Sequence, residues 1–319
     1  MVTHADTYSR WPHRLSVLTA ATTLLLIFVG GLVTNTGSAL AVPDWPTTFG
    51  YNMFLYPWSK MVGGIFYEHS HRLIGSTVGL LTVSLAASLW LAEPRRWVRR
   101  LGLVAVVAVI IQGVLGGLRV VLVQQQLAIL HACLAQAFFA LLVSLAVLTS
   151  RFWQDAAAAP RLVDGARLRA TALSTACLIY AQTVFGALLT HTGTRLGAHL
   201  LVAALVTGSV LRLAVRIFGG QAERRELRRP LLFLSALLIV QLSLGLSVYL
   251  WRYTAVSVAL APGLGVMFQA LHRIVGTALL GAAVLLAVRI IRLAGVARPE
   301  GALADQGERQ FVGQGEVLA

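Results

Sequence analysis

Along this chain the hydrophobic positions fall in long unbroken runs separated by short polar breaks, without the alternation that marks a soluble fold. A helix needs ~20 apolar residues to cross a bilayer core. Eight such runs occur, at about 15–36, 66–91, 101–122, 128–150, 170–190, 197–217, 231–251 and 267–292. Inside lipid only helices and closed barrels satisfy every backbone group. The pattern therefore predicts an all-α integral membrane protein of eight transmembrane helices. The first run is too long for a signal-peptide core and has no Ala-x-Ala site before the following loop, so no cleavable leader is expected.

The breaks set the organisation. Residues 1–14 read as a cytoplasmic lead and 15–150 as a first four-helix half. An Ala- and Arg-rich cytoplasmic linker, 151–169, joins it to a second half, 170–292, and a polar, Gly-rich tail, 293–319, is expected to be disordered. The longest outer loop, 37–64, carries Pro43, Pro46, Phe49, Tyr51, Tyr56 and Trp58, a composition suited to an ordered lid. An internal repeat runs through the helices. Gln112–Gly116, Gln182–Gly186 and Gln241–Gly245 share a Q-x-x-x-G register, and the first helix keeps Gly30 with Leu26 at the glutamine position. Each of these helices precedes one bearing a histidine near its outer end. The chain thus reads as two pseudo-symmetric four-helix bundles. The small residues serve close helix approach or leave room for a flat ligand.

Charge changes the picture less than its size suggests. The formal net charge is +14, but the arginines cluster in alternate loops, at Arg95–Arg100, Arg151–Arg169 and Arg224–Arg229. That is the positive-inside bias, which places both termini in the cytoplasm and calls for no nucleic-acid partner. The two cysteines, Cys133 and Cys177, sit within apolar runs and read as small packing residues, with no CxxC motif.

Candidate chemistry lies at Glu68-His69-Ser70-His71-Arg72, which opens the second run, and at its partial repeat His272-Arg273 in the last. Ionisable residues in transmembrane helices are costly and mark function. With His131 and His199, the chain offers one histidine per hairpin at similar depth. Imidazole is the commonest metal ligand, and two imidazoles from facing helices can clamp a heme iron from opposite sides. The two halves pair His71 with His131 and His199 with His272, so two hemes are the favoured reading. A dinuclear zinc or copper site is the alternative, but apart from Glu68 no acid, cysteine or methionine stands well placed to complete it. Arg72 and Arg273 are positioned to pair with heme propionates or to snorkel outward. Glu68 shares a helix face with His71 and Arg72; it serves as an intrahelical ion-pair partner or as an acid handling protons at the heme edge. Gln269 stands at the matching place before His272, so only the first site has an acid and a long lid. His69 and His191 read as interfacial, and His4 and His13 as solvated.

The stretch Thr34–Gly37 with Leu40–Pro46, the Glu68-x-x-His71-Arg72 motif, Gly193–His199 and His272-Arg273-x-x-Gly276 resemble the heme A synthases, over residues 15–292. The resemblance implies oxidation of the C8 methyl of heme O to a formyl group by successive hydroxylations, giving heme A for terminal oxidases. It implies His71 and His131 at the substrate heme, Glu68 as the essential acid, and the Pro43–Pro46 lid, with Asp44 and Trp45, at the cofactor. It implies a resident heme b on His199 and His272. A cell-membrane location, heme O synthase and an electron donor (a quinol or redox protein) as partners, and a homo-oligomer follow from it as expectations. One branch of the family carries a cysteine pair in the first outer loop, which this chain lacks. A non-catalytic diheme b-type cytochrome oxidising quinol, or a heme carrier, would use the same four histidines.

Overall fold

The computed structural model describes residues 9–155, 162, 164–255 and 262–295. The expectations for residues 1–8 with His4, for 156–161 and 163 of the linker, for 256–261 of the last outer loop and for 296–319 of the tail lie outside these. The described residues form α1 (Trp11–Asn35), two single 3-10 turns (Met53–Leu55 and Trp58–Lys60), α2 (Gly64–Ala92), α3 (Arg96–Leu122), α4 (Gln125–Leu148), a short α5 (Arg151–Asp155), α6 (Gly165–Thr192), α7 (Leu196–Gly220), α8 (Arg225–Tyr253) and α9 (Pro262–Ala294). All but α5 are long and apolar enough to cross a membrane, giving eight candidate spans and an all-helical fold without strands among the described residues.

The helices outrun the apolar runs at their arginine-bearing ends. α3 starts at Arg96 and α8 at Arg225, because helical hydrogen bonding continues into the headgroup zone while long arginine stems reach back to water. Other arginines at these ends close open backbone acceptors. Pro230, inside α8, has no N–H for the carbonyl of Glu226, and Arg289 of α9 donates to that oxygen at 3.0 Å. At the same end Arg95 grips Glu93 and donates to the terminal carbonyl of Leu148 at 2.7 Å, and Arg292 donates to that of Trp153.

Packing follows small residues and ridges. α1, α2, α3 and α4 each touch two neighbours in a closed ring, as do α6, α7, α8 and α9; α1 and α4 meet α9, and α4 meets α6, where the two sets join. One apolar core lies within each set, around Leu85, Leu142 and Leu145 in the first and Leu213, Leu231 and Leu286 in the second. At the join, Phe139 of α4 fills the space that Gly281 of α9 leaves: a Cβ there would stand 2.8 Å from the phenyl ring. Cys177, expected to pack inside, is instead exposed on the outer surface of α6, whereas Cys133 is partly buried.

Candidate functional site

The Q-x-x-x-G register resolves into one local device used four times. In each hairpin the register glycine of the first helix lies against the histidine of the second. A Cβ at Gly30 would stand 2.9 Å from His71 Cε1, at Gly116 3.2 Å from His131, at Gly186 3.5 Å from His199, and at Gly245 3.1 Å from His272. These glycines make room for an imidazole edge. The glutamine one turn earlier also faces its histidine. Gln112 donates to the carbonyl of His131, whose Nδ1 donates to that of Gln112; the Gln182 and Gln241 amides donate to His199 and His272 at 3.2 and 3.3 Å. Leu26, at the matching place before Gly30, has no side-chain amide to do this.

The four rings form two pairs. His71 and His131 have centroids 6.5 Å apart, and His199 and His272 6.3 Å apart, with interplanar angles of 71° and 65°. Imidazole nitrogens bind metals at about 2.0–2.1 Å, and a ring nitrogen lies about 1.2 Å from its centroid, so two imidazoles trans across one ion sit about 6.4 Å apart. A tetrahedral angle would draw them to about 5 Å by the same geometry. The observed spacing leaves room for one metal-centred group that the two imidazoles of a pair would hold between them. Among the described residues no group of three or more His, Cys, Asp or Glu is placed to hold a metal by itself. Nδ1 of His71, His199 and His272 is buried without a partner, the kind of orphaned polar atom that a bound ligand would engage. The histidines and their glycine cradles therefore fit a heme in each pair.

Among the described residues, only the first pair lies beneath a built cover. Glu68 is 4% exposed; its Oε2 accepts the Val42 N–H at 3.0 Å and its Oε1 accepts Arg72 at 2.9 Å. Arg72 in turn donates to the carbonyls of Asp44 at 2.7 Å, Thr47 at 2.9 Å and Val42 at 2.9 Å. Both its terminal nitrogens are thus committed to the loop. His69, expected at the interface, is 1% exposed beneath the lid, its Nδ1 3.1 Å from the Thr48 hydroxyl and its ring against Tyr56. Asp44 folds the loop on itself. Burial raises its pKa, but donors from Gly50 N–H, the Thr47 hydroxyl and Phe49 N–H outweigh that and hold the carboxyl at about 2. Trp45 lies flat on α3 at Gly117, where a Cβ would stand 2.2 Å from its indole. Asp44 and Trp45 thus act on the lid: one folds it, the other docks it beside Gly116 and His131.

The second pair has Gln269 in place of the acid, its amide donating to Gly265. A cavity of about 430 Å³ lined by Thr34, Asn35, Thr190, Trp251, Arg252 and Gln269 opens one helical turn from His272. Arg273 reaches across to the first set, where a Cβ on Gly31 would stand 3.3 Å from its Nη1. Sequence reasoning missed Arg119. It lies in the last turn of α3, within the electrostatic reach of Glu68, His71, His131, His191 and Arg273. Its signal was present: it follows register glycine Gly116 by three residues, where the other helices have Val33, Leu189 and Val248.

Eight candidate spans holding two imidazole pairs, one under an anchored lid, define a multi-pass helical membrane protein organised around paired histidines. The chain belongs to the cytochrome oxidase assembly protein family (COX15-CtaA), whose profile matches residues 13–198, more than half its length. That match takes in the lid, Glu68, His71 and His131 and stops just short of His199. Three proteins named heme A synthase are similar to it. The one from Shouchella clausii (strain KSM-K16) is 37% identical over 116 residues, 36% of this chain and 37% of the relative. Those from Alkalihalophilus pseudofirmus (strain ATCC BAA-2126 / JCM 17055 / OF4) and Geobacillus kaustophilus (strain HTA426) are 30% and 28% identical over 179 and 185 residues, covering 55% and 56% of this chain. The chain spans 58% and 56% of those two relatives.

Proposed function

We propose that this protein oxidises the C8 methyl of heme O to a formyl group by successive hydroxylations, yielding heme A for terminal oxidases. The observation that carries the reading is the inequality of two otherwise matched histidine pairs. His71 and His131 lie with Glu68 beneath a lid fixed to the same helix, and among the described residues His199 and His272 have neither acid nor comparable cover. In this reading His71 and His131 hold the substrate heme O. Closure by Asp44, Trp45 and Arg72 excludes water from its edge, which strengthens the electrostatic influence of nearby groups. Glu68, held by Arg72 and the Val42 N–H, is the acid that handles protons at the heme edge when one of those contacts opens. His199 and His272 hold a heme b, which when bound supplies one-electron redox chemistry. Heme O synthase is the proposed source of substrate, a quinol or redox protein the electron donor, the cell membrane the location, and a homo-oligomer the assembly.

The near identity of the two ring separations favours a second reading, a diheme b-type cytochrome without catalysis on heme. The deciding experiment expresses the protein in a host that makes heme O but lacks heme A synthase, followed by heme extraction, chromatography and mass spectrometry. Heme A or hydroxylated heme O, lost in His71→Ala and reduced in Glu68→Gln, is the expected outcome. Two b-type hemes beside untouched heme O would overturn the catalytic reading in favour of the cytochrome.

A further inference from the structure

Two guanidiniums stand apart from the other partly buried arginines; the remaining described helix arginines without a hydrogen bond or ion pair, such as Arg212 and Arg252, are exposed. Arg72 binds three loop carbonyls and Glu68, Arg95 binds Glu93, Arg216 binds Asp164, and Arg289 and Arg292 bind backbone carbonyls. Among the described residues, the side chains of Arg119 and Arg273 have no hydrogen bond or ion pair. Each lies in the other's field, and His191 lies in the field of both. The acid that Arg119 feels is Glu68, whose oxygens are already engaged by Arg72 and Val42. Partly buried cations in a span, mutually repelling and unpaired, are unfavourable without an anion.

Their placement says which anion. Residues three apart share a helix face, so Arg119 stands one turn outward from Gly116 on the face that cradles His131. Arg273 lies against Gly31, next to Gly30, which cradles His71. The two cations thus border the first imidazole pair from α3 on one side and α1 on the other. We infer that Arg119, with Arg273, forms the receptor for the carboxylates of the porphyrin held by His71 and His131, and that Arg72, committed to the lid, does not. This rests on the proposed heme site and adds the residues that orient the macrocycle in it. A guanidinium and a carboxylate form charge-assisted, frequently bidentate bonds.

The test titrates the full-length protein in detergent with iron protoporphyrin IX and, separately, with its dimethyl ester, which keeps the macrocycle and iron but has no carboxylate. Uptake that disappears in His131→Ala counts as first-site binding. The wild type should prefer the acid to the ester by about 10- to 100-fold, the loss typical of a charged hydrogen bond. Arg119→Gln should lose most of that preference while binding the ester like wild type, and Arg119→Lys should recover part of it. Arg72→Gln should keep it. Retained preference in Arg119→Gln, equal loss for both porphyrins, or loss in Arg72→Gln alone would each overturn the assignment. A wild type that takes up neither porphyrin in a His131-dependent way would overturn the heme-site reading beneath it.

Discussion

Replacing the four register glycines by alanine measures how closely the helices are cut to their histidines. Two opposed terms set each result. Alanine is favoured over glycine inside a helix by about 0.8–1.0 kcal/mol, and forcing a methyl into a packed site costs about 1–3 kcal/mol. At Gly186 the new Cβ would meet His199 at 3.5 Å, ordinary van der Waals contact, so the propensity gain should stand alone. At Gly245 and Gly116 the contacts of 3.1 and 3.2 Å require the imidazole to yield by a few tenths of an ångström. At Gly30 the 2.9 Å contact with His71 Cε1 demands more, and metal-ligand distances tolerate only about 0.2 Å. Within the first pair, Gly30→Ala should weaken His131-dependent uptake of iron protoporphyrin more than Gly116→Ala. Within the second, Gly245→Ala should weaken His272-dependent uptake while Gly186→Ala leaves it unchanged and raises the unfolding temperature. The spread expected between extremes is about 5- to 100-fold in affinity, from 1–3 kcal/mol of overpacking. Absorbance titration of each full-length variant reads it directly. Four variants with equal affinities, or Gly186→Ala as damaging as Gly30→Ala, would refute the cradle.

The lid gives two further tests. Arg72→Gln removes three bonds to loop carbonyls and one to Glu68, so chymotryptic cleavage after Phe49, Tyr51 and Phe54 should accelerate at least about tenfold, and fragments read by mass spectrometry showing an unchanged rate would disprove the latch. Asp44 titrates at about 2 in the folded loop against an ordinary 3.8, so its contribution is present above the ordinary value and lost as pH falls through about 2. Hydrogen exchange at Phe49 and Gly50 amides should therefore hold steady, after correction for intrinsic rates, from neutral pH to about 4 and rise relative to reference below it, whereas Asp44→Asn should show the rise already at neutral pH; a mutant indistinguishable from wild type at pH 7 would remove Asp44 from the fold of the loop.

What could be read from the chain without its structure was whatever depends on period and composition. Eight spans follow from run length, and the Q-x-x-x-G register with its following histidine is visible because each hairpin repeats it. The two meanings of the glycines could not be separated, since one residue type serves both, and only the 2.9–3.5 Å approaches to imidazole distinguish them. The contacts of Arg72 were out of reach for a different reason. Its place after His71 fixes the helix face, but its acceptors, Val42, Asp44 and Thr47, lie 25 to 30 residues away in a loop whose path no periodicity encodes. His69 was read as interfacial because the loop that buries it could not be folded on paper. Arg119 was passed over, because its isolation is a property of its neighbours in other helices.

The repeat also locates the asymmetry between the two pairs outside the ligands themselves. Ring separations of 6.5 and 6.3 Å leave little to distinguish the metal geometries. The residue after each register glycine differs sharply. In the first set it is a second glycine, Gly31 or Gly117; in the second it is Ala187 or Leu246. Each extra glycine admits one visiting side chain, Arg273 of α9 at Gly31 and Trp45 of the lid at Gly117. A Cβ at Gly117 would overlap the indole, so that docking position exists only because the second glycine is there. The first pair is thereby enclosed by groups from outside its own hairpins, and among the described residues the second has no such visitor. If two equal imidazole pairs were made unequal by this route, Gly117→Ala should loosen the lid over His71 and His131 without altering uptake at His199 and His272. The physical difference between the sites then resides in what closes them.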